Sequence, residues 1–199
     1  MSIVHRIEVP GGIYHVNANA LHGMSLYRDE IDRLGFYELL IDEVKKRGWT
    51  VLAYTLMTTH YHLLLKIETE LSSGFHRLHS MYAREFNRRH GRRGVVWQKR
   101  FHDELVNSDR HLFETIRYLA RNAPRAGMCE KPEDWPWSSY GSAIGLQPPD
   151  PLVDEAELLG LFSTDERVAR KRLAAYVSEP DPRVRWRQTC VRRASDAEQ

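Results

Sequence analysis

Two histidines separated by one residue lie in the otherwise apolar segment 56–66, LMTTHYHLLLK. The run predicts a strand over 60–67, and successive side chains of a strand point to opposite faces. His60 and His62 therefore share one face, and Tyr61 points to the other. Two imidazoles on one face can bind the same metal ion. The alternative is a pair of ordinary polar positions on a half-exposed sheet.

A helix predicted over 109–122 carries a second pair of reactive side chains. Successive helical residues turn by about 100° around the axis, and this defines an apolar face. That face consists of Leu112, Ile116, Leu119 and Ala123. Tyr118 falls nearly opposite this face, and Asn122 follows four residues later on the side of Tyr118. Tyr118 is therefore either exposed or turned toward a site.

A tyrosine beside a metal ion has a specific chemical use. Its phenolate can attack phosphorus and form a covalent phosphotyrosine, which conserves the energy of the broken phosphodiester for later rejoining. A metal ion polarises and orients the phosphate under attack. Asn122 offers a neutral oxygen, which together with His60 and His62 would suit Mg²⁺ or Mn²⁺.

Basic residues are concentrated between positions 77 and 100. They are Arg77, Arg84, Arg88, Arg89, Arg92, Arg93, Lys99 and Arg100. Glu85 is the only acid among them, and Tyr82, Phe86, Trp97 and Phe101 are interleaved. Cations of one sign mixed with aromatic rings are typical of a surface that binds phosphates and stacks bases. A solvated helix face is the simpler interpretation.

Composition restricts the class of protein. The chain has 199 residues, a net charge of +2 and 42% hydrophobic residues, which fits a globular domain. No apolar run approaches the roughly 20 residues of a membrane helix, and the start lacks a secretory signal. The two cysteines, Cys129 and Cys190, are far apart and indicate reduced thiols. We therefore expect a cytoplasmic protein that does not bind membranes.

The hydrophobic pattern predicts a compact α+β fold. Strands are expected at 11–19, 49–57, 60–67 and 95–106, and helices at 29–47, 72–90 and 109–122. The short break at Thr58 and Thr59 predicts a hairpin between the second and third strands. Ser72 or Ser73 is the expected N-cap of the second helix, whose apolar residues fall on one stripe. This order predicts a ferredoxin-like split βαββαβ antiparallel sheet with an added helix after it. Residues 1–146 are expected to form the main domain. Residues 147–199 are expected to be a linker and a small helical extension, with helices at 154–162 and 164–178.

Several segments together resemble the single-tyrosine HUH transposases, and more narrowly their REP-associated branch. They read VPGGIYHV, GWTVLAYTLMTTHYHLLL, YAREFNRRHGRRGVVWQKRF, SDRHLFETIRYLARNAPRAG and PEDWPWSSY, and they span residues 9–140. The resemblance implies a Mg²⁺- or Mn²⁺-dependent endonuclease and strand transferase, monomeric or dimeric. Its substrate would be single-stranded DNA that carries a hairpin.

The resemblance also assigns roles to individual residues. His60, His62 and Asn122 would bind the metal, and Tyr118 would be the nucleophile that leaves a 5′-phosphotyrosine and a free 3′-hydroxyl. The chain departs from the family at three places. Thr58 and Thr59 stand where Pro-Asn is common, Ala123 separates Asn122 from Pro124, and the Arg-Gly after the first strand is replaced within 17–23.

The departures bear on DNA contacts and specificity more than on the chemistry, and a host-retained protein with altered targets would be compatible with them. The leading alternative from another class is a non-catalytic protein that binds single-stranded nucleic acid. Its fold, basic residues and aromatic residues would be the same. That alternative leaves unexplained why His60, His62, Tyr118 and Asn122 stand at the places that match the family. A metal-dependent hydrolase that forms no covalent intermediate is a further alternative, but it would have little use for a Tyr118 that lies off the apolar face of its helix.

Overall fold

The computed structural model describes residues 8–179. The strands are β1 Gly12–Asn19, β2 Thr50–Leu56, β3 His60–Ile67 and β4 His102–Leu105. The helices are α1 Glu30–Arg47, α2 Leu71–Arg89, α3 Asp109–Ala120, α4 Asn122–Arg125, α5 Tyr140–Ala143, α6 Glu155–Gly160 and α7 Glu166–Ser178. A short 3₁₀ turn, Pro132–Asp134, precedes α5.

The four strands form one antiparallel sheet in the order β2-β3-β1-β4. This is the predicted ferredoxin-like arrangement, so the α+β fold class is confirmed. The hairpin between β2 and β3 is also confirmed, since the amide of Met57 donates to the carbonyl of His60 across its ends.

One face of the sheet is covered by α1 and α2. The larger apolar core lies here and includes Tyr61 from β3, Phe36 from α1, and Phe75 and Tyr82 from α2. The predicted apolar stripe of α2 is therefore buried. Its N-terminus differs from the prediction, because neither Ser72 nor Ser73 caps it.

The actual start of α2 is stabilised from a distance. Glu70 occupies the N-cap position with a φ of 66° and gives no side-chain cap. Instead, the carboxylate of Glu8 accepts hydrogen bonds from the amides of Leu71 and Ser72, at 3.1 and 3.0 Å. A carboxylate also interacts favourably with the positive end of the helix dipole.

The other face of the sheet is covered only in part. Helices α3, α6 and α7 bury a second apolar core against Leu52 and Leu64. The region predicted as a linker contacts the domain, since Asp150 accepts hydrogen bonds from Tyr37 and Tyr54 at 2.5 and 2.7 Å. The part of this face at the C-terminal end of β1 and the start of β3 is left for polar side chains.

The fourth strand is shorter than predicted. Only 102–105 of the expected 95–106 is strand. Trp97 forms an isolated bridge with Ala20, but its indole nitrogen donates to the carbonyl of His79 on α2 at 3.0 Å. The backbone is still paired here, since the amide of Gln98 donates to the carbonyl of Asn19. His102 follows Trp97 by five positions, whereas their partners Asn17 and Ala20 are only three apart, so two extra residues interrupt the strand. Within residues 8–179, no helix is long and apolar enough to cross a membrane.

Candidate active site

The predicted histidine pair lies on the sheet face opposite to α1 and α2. In the β1–β3 register, Asn17 stands opposite His62 and Asn19 opposite His60. The two imidazole rings are 5.0 Å apart and nearly perpendicular, at 86°. Tyr61 points into the other core, as strand alternation predicts, and is fully buried.

Each histidine of the pair is held through its Nδ1 atom. The hydroxyl of Thr59 lies 3.0 Å from Nδ1 of His60. Nδ1 of His62 lies 3.0 Å from Nε2 of His15 on β1. These contacts leave the Nε2 atom of each ring to face the site. Thr59, one of the departures from the family pattern, thus orients the first histidine.

His15 is a site residue that the sequence analysis missed. A single histidine in an alternating strand carries no local signal of its partner. The only available signal was the alternation in segment 12–19, which places His15, Asn17 and Asn19 on one polar face. The contact with His62 depends on how β1 and β3 are paired.

Tyr118 on α3 contacts the histidine cluster. Ser108 caps α3 by accepting from the amide of His111, and this fixes where the helix starts and thus its phase. The tyrosine ring meets the ring of His62 edge-on at 5.2 Å and the ring of His15 at 5.9 Å. Tyr118 is half-buried. The sequence left Tyr118 either exposed or turned toward a site, and in the structure it is turned toward the histidines.

Asn122 lies on the far side of the pair. The predicted helix is interrupted, since α3 ends at Ala120 and Asn122 opens the short helix α4. The amide of Asn122 is hydrogen-bonded to His60. Its buried Nδ2 atom has no hydrogen-bond partner in the described chain. The oxygen Oδ1 is therefore the atom that faces the imidazole.

Burial keeps these histidines neutral. Desolvation lowers the pKa of His62 to about 3, and the neighbouring His15 and His60 add to this effect. Desolvation likewise lowers the pKa of His15 to about 4, against the opposing influence of Glu104. The pKa of His60 is also lowered by burial, while its hydrogen bond to Asn122 acts in the other direction. Neutral imidazoles keep the lone pair that a metal ligand needs.

The side chains present fit a divalent cation. The two Nε2 atoms and Oδ1 of Asn122 would form a neutral donor set once a cation replaced the proton that His60 donates to Asn122. Both ring Nδ1 atoms already have hydrogen-bond partners, as metal-binding histidines usually do. Nitrogen-rich sites suit Mn²⁺ and later transition metals better than Mg²⁺. Residues 8–179 contain no group of three or more His, Cys, Asp or Glu side chains arranged to hold a metal. The third donor to a cation at this place would be the amide of Asn122.

The predicted DNA-binding cations lie away from the histidines, since α2 covers the opposite face of the sheet. Four of them have intramolecular contacts. Arg89 pairs with Asp29 and buried Asp32, Arg77 with Glu43, Arg88 with Glu85, and the guanidinium of Arg92 lies over the ring of Phe86. The others are exposed without an ion pair to any described residue, namely Arg84, Arg93, Lys99 and Arg100.

The predicted stacking role is wrong for three of the aromatic residues. Tyr82, Phe86 and Phe101 are buried, at 3%, 2% and 5% exposure, so they cannot stack bases. They are interleaved with the cations because they form the buried side of the same segment. Trp97 is half-buried and stacks on His79 with ring centres 3.8 Å apart. It lines a groove of about 700 Å³ beside Lys99 and Arg100.

Three comparisons place this chain among known proteins. A family model described as "Transposase IS200 like" matches residues 14–122, which is more than half of the 199 residues. A curated REP-associated tyrosine transposase of Haemophilus influenzae is 29% identical over 100 residues, covering 44% of this chain and 57% of that protein. The chain thus spans little more than half of that relative's length.

Two solved structures are similar. One is the REP-associated tyrosine transposase bound to a REP hairpin, with a TM-score of 0.61, 19% identity, and coverage of 74% of this chain and 89% of its own. The other, a transposase from Deinococcus radiodurans R1, has a TM-score of 0.42, 19% identity, and coverage of 61% and 97%. The first shows a shared fold. The family match includes both histidines of the pair, Tyr118 and Asn122, and the protein therefore belongs to the IS200-like transposase family.

Proposed function

We propose that this protein is a metal-dependent endonuclease and strand transferase for single-stranded DNA. Tyr118 would be its nucleophile, and its substrate would carry a hairpin. The observation that carries the proposal is the position of Tyr118, whose ring centre lies 5.2 Å from that of His62. The neighbouring His60 is hydrogen-bonded to Asn122. A side chain suited to attack on phosphorus and side chains suited to metal binding thus lie close together, although they are far apart in the sequence.

The proposed reaction transfers the phosphate from the 3′-oxygen of one nucleotide to Tyr118. The Tyr118 oxygen attacks phosphorus, the bond between phosphorus and the 3′-oxygen breaks, and the 5′-side of the following nucleotide remains on the protein. The phenol loses one proton and the leaving 3′-oxygen gains one. Attack by the released 3′-hydroxyl of another strand on the phosphotyrosine reverses these changes and joins the DNA.

Different residues of this chain would bind the metal and position the nucleophile. His60, His62 and Asn122 would hold a divalent cation, Mg²⁺ or Mn²⁺, which polarises the phosphate when bound. The packing of α3 against the sheet holds Tyr118 in place, since Ile116 and Leu119 on its other side are buried, at 3% and 1% exposure. Pre-positioning of a nucleophile in this way lowers the entropic part of the barrier.

The hairpin in the proposed substrate is inferred from a similar protein. The similar REP-associated transposase was solved with a REP hairpin, and the exposed cations around α2 supply the positive charge that a DNA backbone requires. Arg84, Arg93, Lys99 and Arg100 are the residues available for this role.

A covalent adduct tests the proposal. The purified protein is incubated with Mn²⁺ and a pool of single-stranded oligonucleotides that carry hairpins with randomised flanks, and the products are denatured. A 3′-end label should remain on the protein, and a 5′-end label should not. Tyr118→Phe should bind the same pool without forming the adduct. The alternative of a non-catalytic nucleic-acid-binding protein, which the exposed cations also support, predicts binding with no adduct in either protein.

A further inference from the structure

His15 and His62 form a direct side-chain contact between β1 and β3. Nε2 of His15 lies 3.0 Å from Nδ1 of His62, and the rings are 5.1 Å apart at 31°. His15 stands opposite Leu64 in the sheet, so it is the diagonal neighbour of His62. The contact is therefore built into the strand register.

A single proton must lie between these two nitrogens for the contact to be a hydrogen bond between neutral rings. If His62 carries it on Nδ1, His15 accepts and Nε2 of His62 keeps a free lone pair. If His15 carries it on Nε2, then His62 accepts, and its own remaining proton lies on Nε2. Only the first arrangement leaves His62 able to bind a metal through the nitrogen that faces the site.

We propose that His15 is a positioning residue that accepts the Nδ1 proton of His62 and so fixes the tautomer and ring orientation that the metal site requires. The inference rests on the proposed function, because it concerns the same site. It assigns to His15 the outer-shell role that carboxylates and carbonyls commonly have beside metal-binding histidines.

The surroundings of His15 favour this arrangement. Glu104 stands opposite His15 in β4, and its carboxylate acts electrostatically on the ring. A nearby negative charge favours an N–H group on the ring, and since Nε2 of His15 contacts His62, the nitrogen left to carry that proton is Nδ1. His15 then has Nε2 free as the acceptor. The rings of Tyr118 and His15 meet edge-on, with centres 5.9 Å apart.

The tautomer can be read directly in the protein without metal or DNA. Nitrogen-15 NMR of histidine-labelled protein, assigned with His62→Ala, should show His62 protonated on Nδ1. In His15→Gln, the amide oxygen replaces the Nε2 acceptor and the tautomer should persist. His15→Phe offers no acceptor, and His62 should shift to the Nε2-protonated form. An Nε2-protonated His62 in the wild-type protein, or no change in His15→Phe, overturns the proposal.

Direct Mn²⁺ titration followed by electron paramagnetic resonance supplies the second readout. His15→Phe should bind Mn²⁺ about 10 to 100 times more weakly, the usual cost of losing an outer-shell partner. His15→Gln should bind nearly as the wild type does. The control is His76→Phe, which alters an exposed histidine on α2, across the sheet from the site, and should change neither readout.

Two further results are decisive. If His15→Gln weakens Mn²⁺ binding as much as His15→Phe, His15 is itself a ligand and the positioning role is wrong. If the wild-type protein binds no Mn²⁺ at all, the metal part of the proposed function fails. The NMR tautomers still decide the role of His15 in that case, so the two failures are distinguishable.

Discussion

The ring of Tyr118 meets the ring of His62 edge-on, with centres 5.2 Å apart and planes at 84°. These residues come from α3 and β3, which approach each other because Leu112 and Ile116 pack on the sheet beside Leu64. The buried face of α3 thus determines where its tyrosine points.

His62→Ala should abolish metal-dependent cleavage and leave the fold intact. The variant loses a ring whose Nε2 faces the site, so the loss in cleavage should exceed the roughly 10- to 100-fold cost of an outer-shell change. Cleavage rates at increasing Mn²⁺ concentration measure the effect, and circular dichroism checks the fold. His76→Ala is the control, since His76 is exposed on α2. Wild-type cleavage by His62→Ala would remove His62 from the metal site.

Neutralising Arg84 and Arg93 together should weaken DNA binding regardless of sequence. For single-stranded DNA, each lost phosphate contact lowers the salt slope by about 0.7, so the double Gln variant should lose about 1.4. Binding is measured at several salt concentrations. Arg89→Gln is the comparison, because the ion pairs of Arg89 with Asp29 and Asp32 predict lower stability with an unchanged slope. An unchanged slope in the double variant would make these arginines a solvated surface.

Acid should destabilise the protein in part through His79. Burial lowers the pKa of His79 from 6.5 to about 3, while the unfolded chain takes up the proton near 6.5. Stability from the neutral ring is thus fully present above about pH 6.5 and is lost as the pH falls toward 3. At pH 5 the loss is about 2 kcal/mol, from about 1.4 kcal/mol for each pH unit.

The measurement is urea unfolding of wild type and His79→Gln near pH 7 and pH 5. Glutamine retains a partner for the Tyr61 hydroxyl, which lies 2.7 Å from Nε2 of His79. The variant should be less stable at pH 7 but should lose about 2 kcal/mol less on acidification, the amount attributed to His79. Parallel losses in the two proteins would show that His79 is not the titrating group.

Leu173→Ala should destabilise the whole described domain. Leu173 on α7 is buried, at 1% exposure, in the core that also contains Ile116 and Leu119. A large-to-small change of this kind costs about 2 to 5 kcal/mol. Unfolding followed by Trp fluorescence and by circular dichroism should shift as one transition. Two separate transitions would instead support a domain boundary near residue 146, which stays a prediction.

The sequence predicted those features that depend on local periodicity. Alternation placed His60 and His62 on one face, and helix phase kept Tyr118 off its apolar stripe. It could not predict contacts set by pairing between distant segments. His15 meets His62 through the β1–β3 register, and Glu8 caps α2 in place of the predicted Ser72 or Ser73.

The basic segment shows a second limit of sequence reasoning. Charge alone did not show which cations form ion pairs within the protein, as Arg89 does. Aromatic content alone did not show which rings are buried, as that of Phe86 is. The predicted length of the fourth strand was wrong for a related reason. Two extra residues between Trp97 and His102 interrupt the pairing with β1, and no local pattern marks this interruption.

Peptide mapping of the trapped protein–DNA adduct tests the central claim most directly. The adduct formed with Mn²⁺ is digested with protease and nuclease, and mass spectrometry locates the residual nucleotide. The account predicts a 5′-phosphate link to the peptide that contains Tyr118, and no such peptide from Tyr118→Phe. A nucleotide on another residue, such as Tyr14 or Tyr140, or an adduct that persists in Tyr118→Phe, would contradict it.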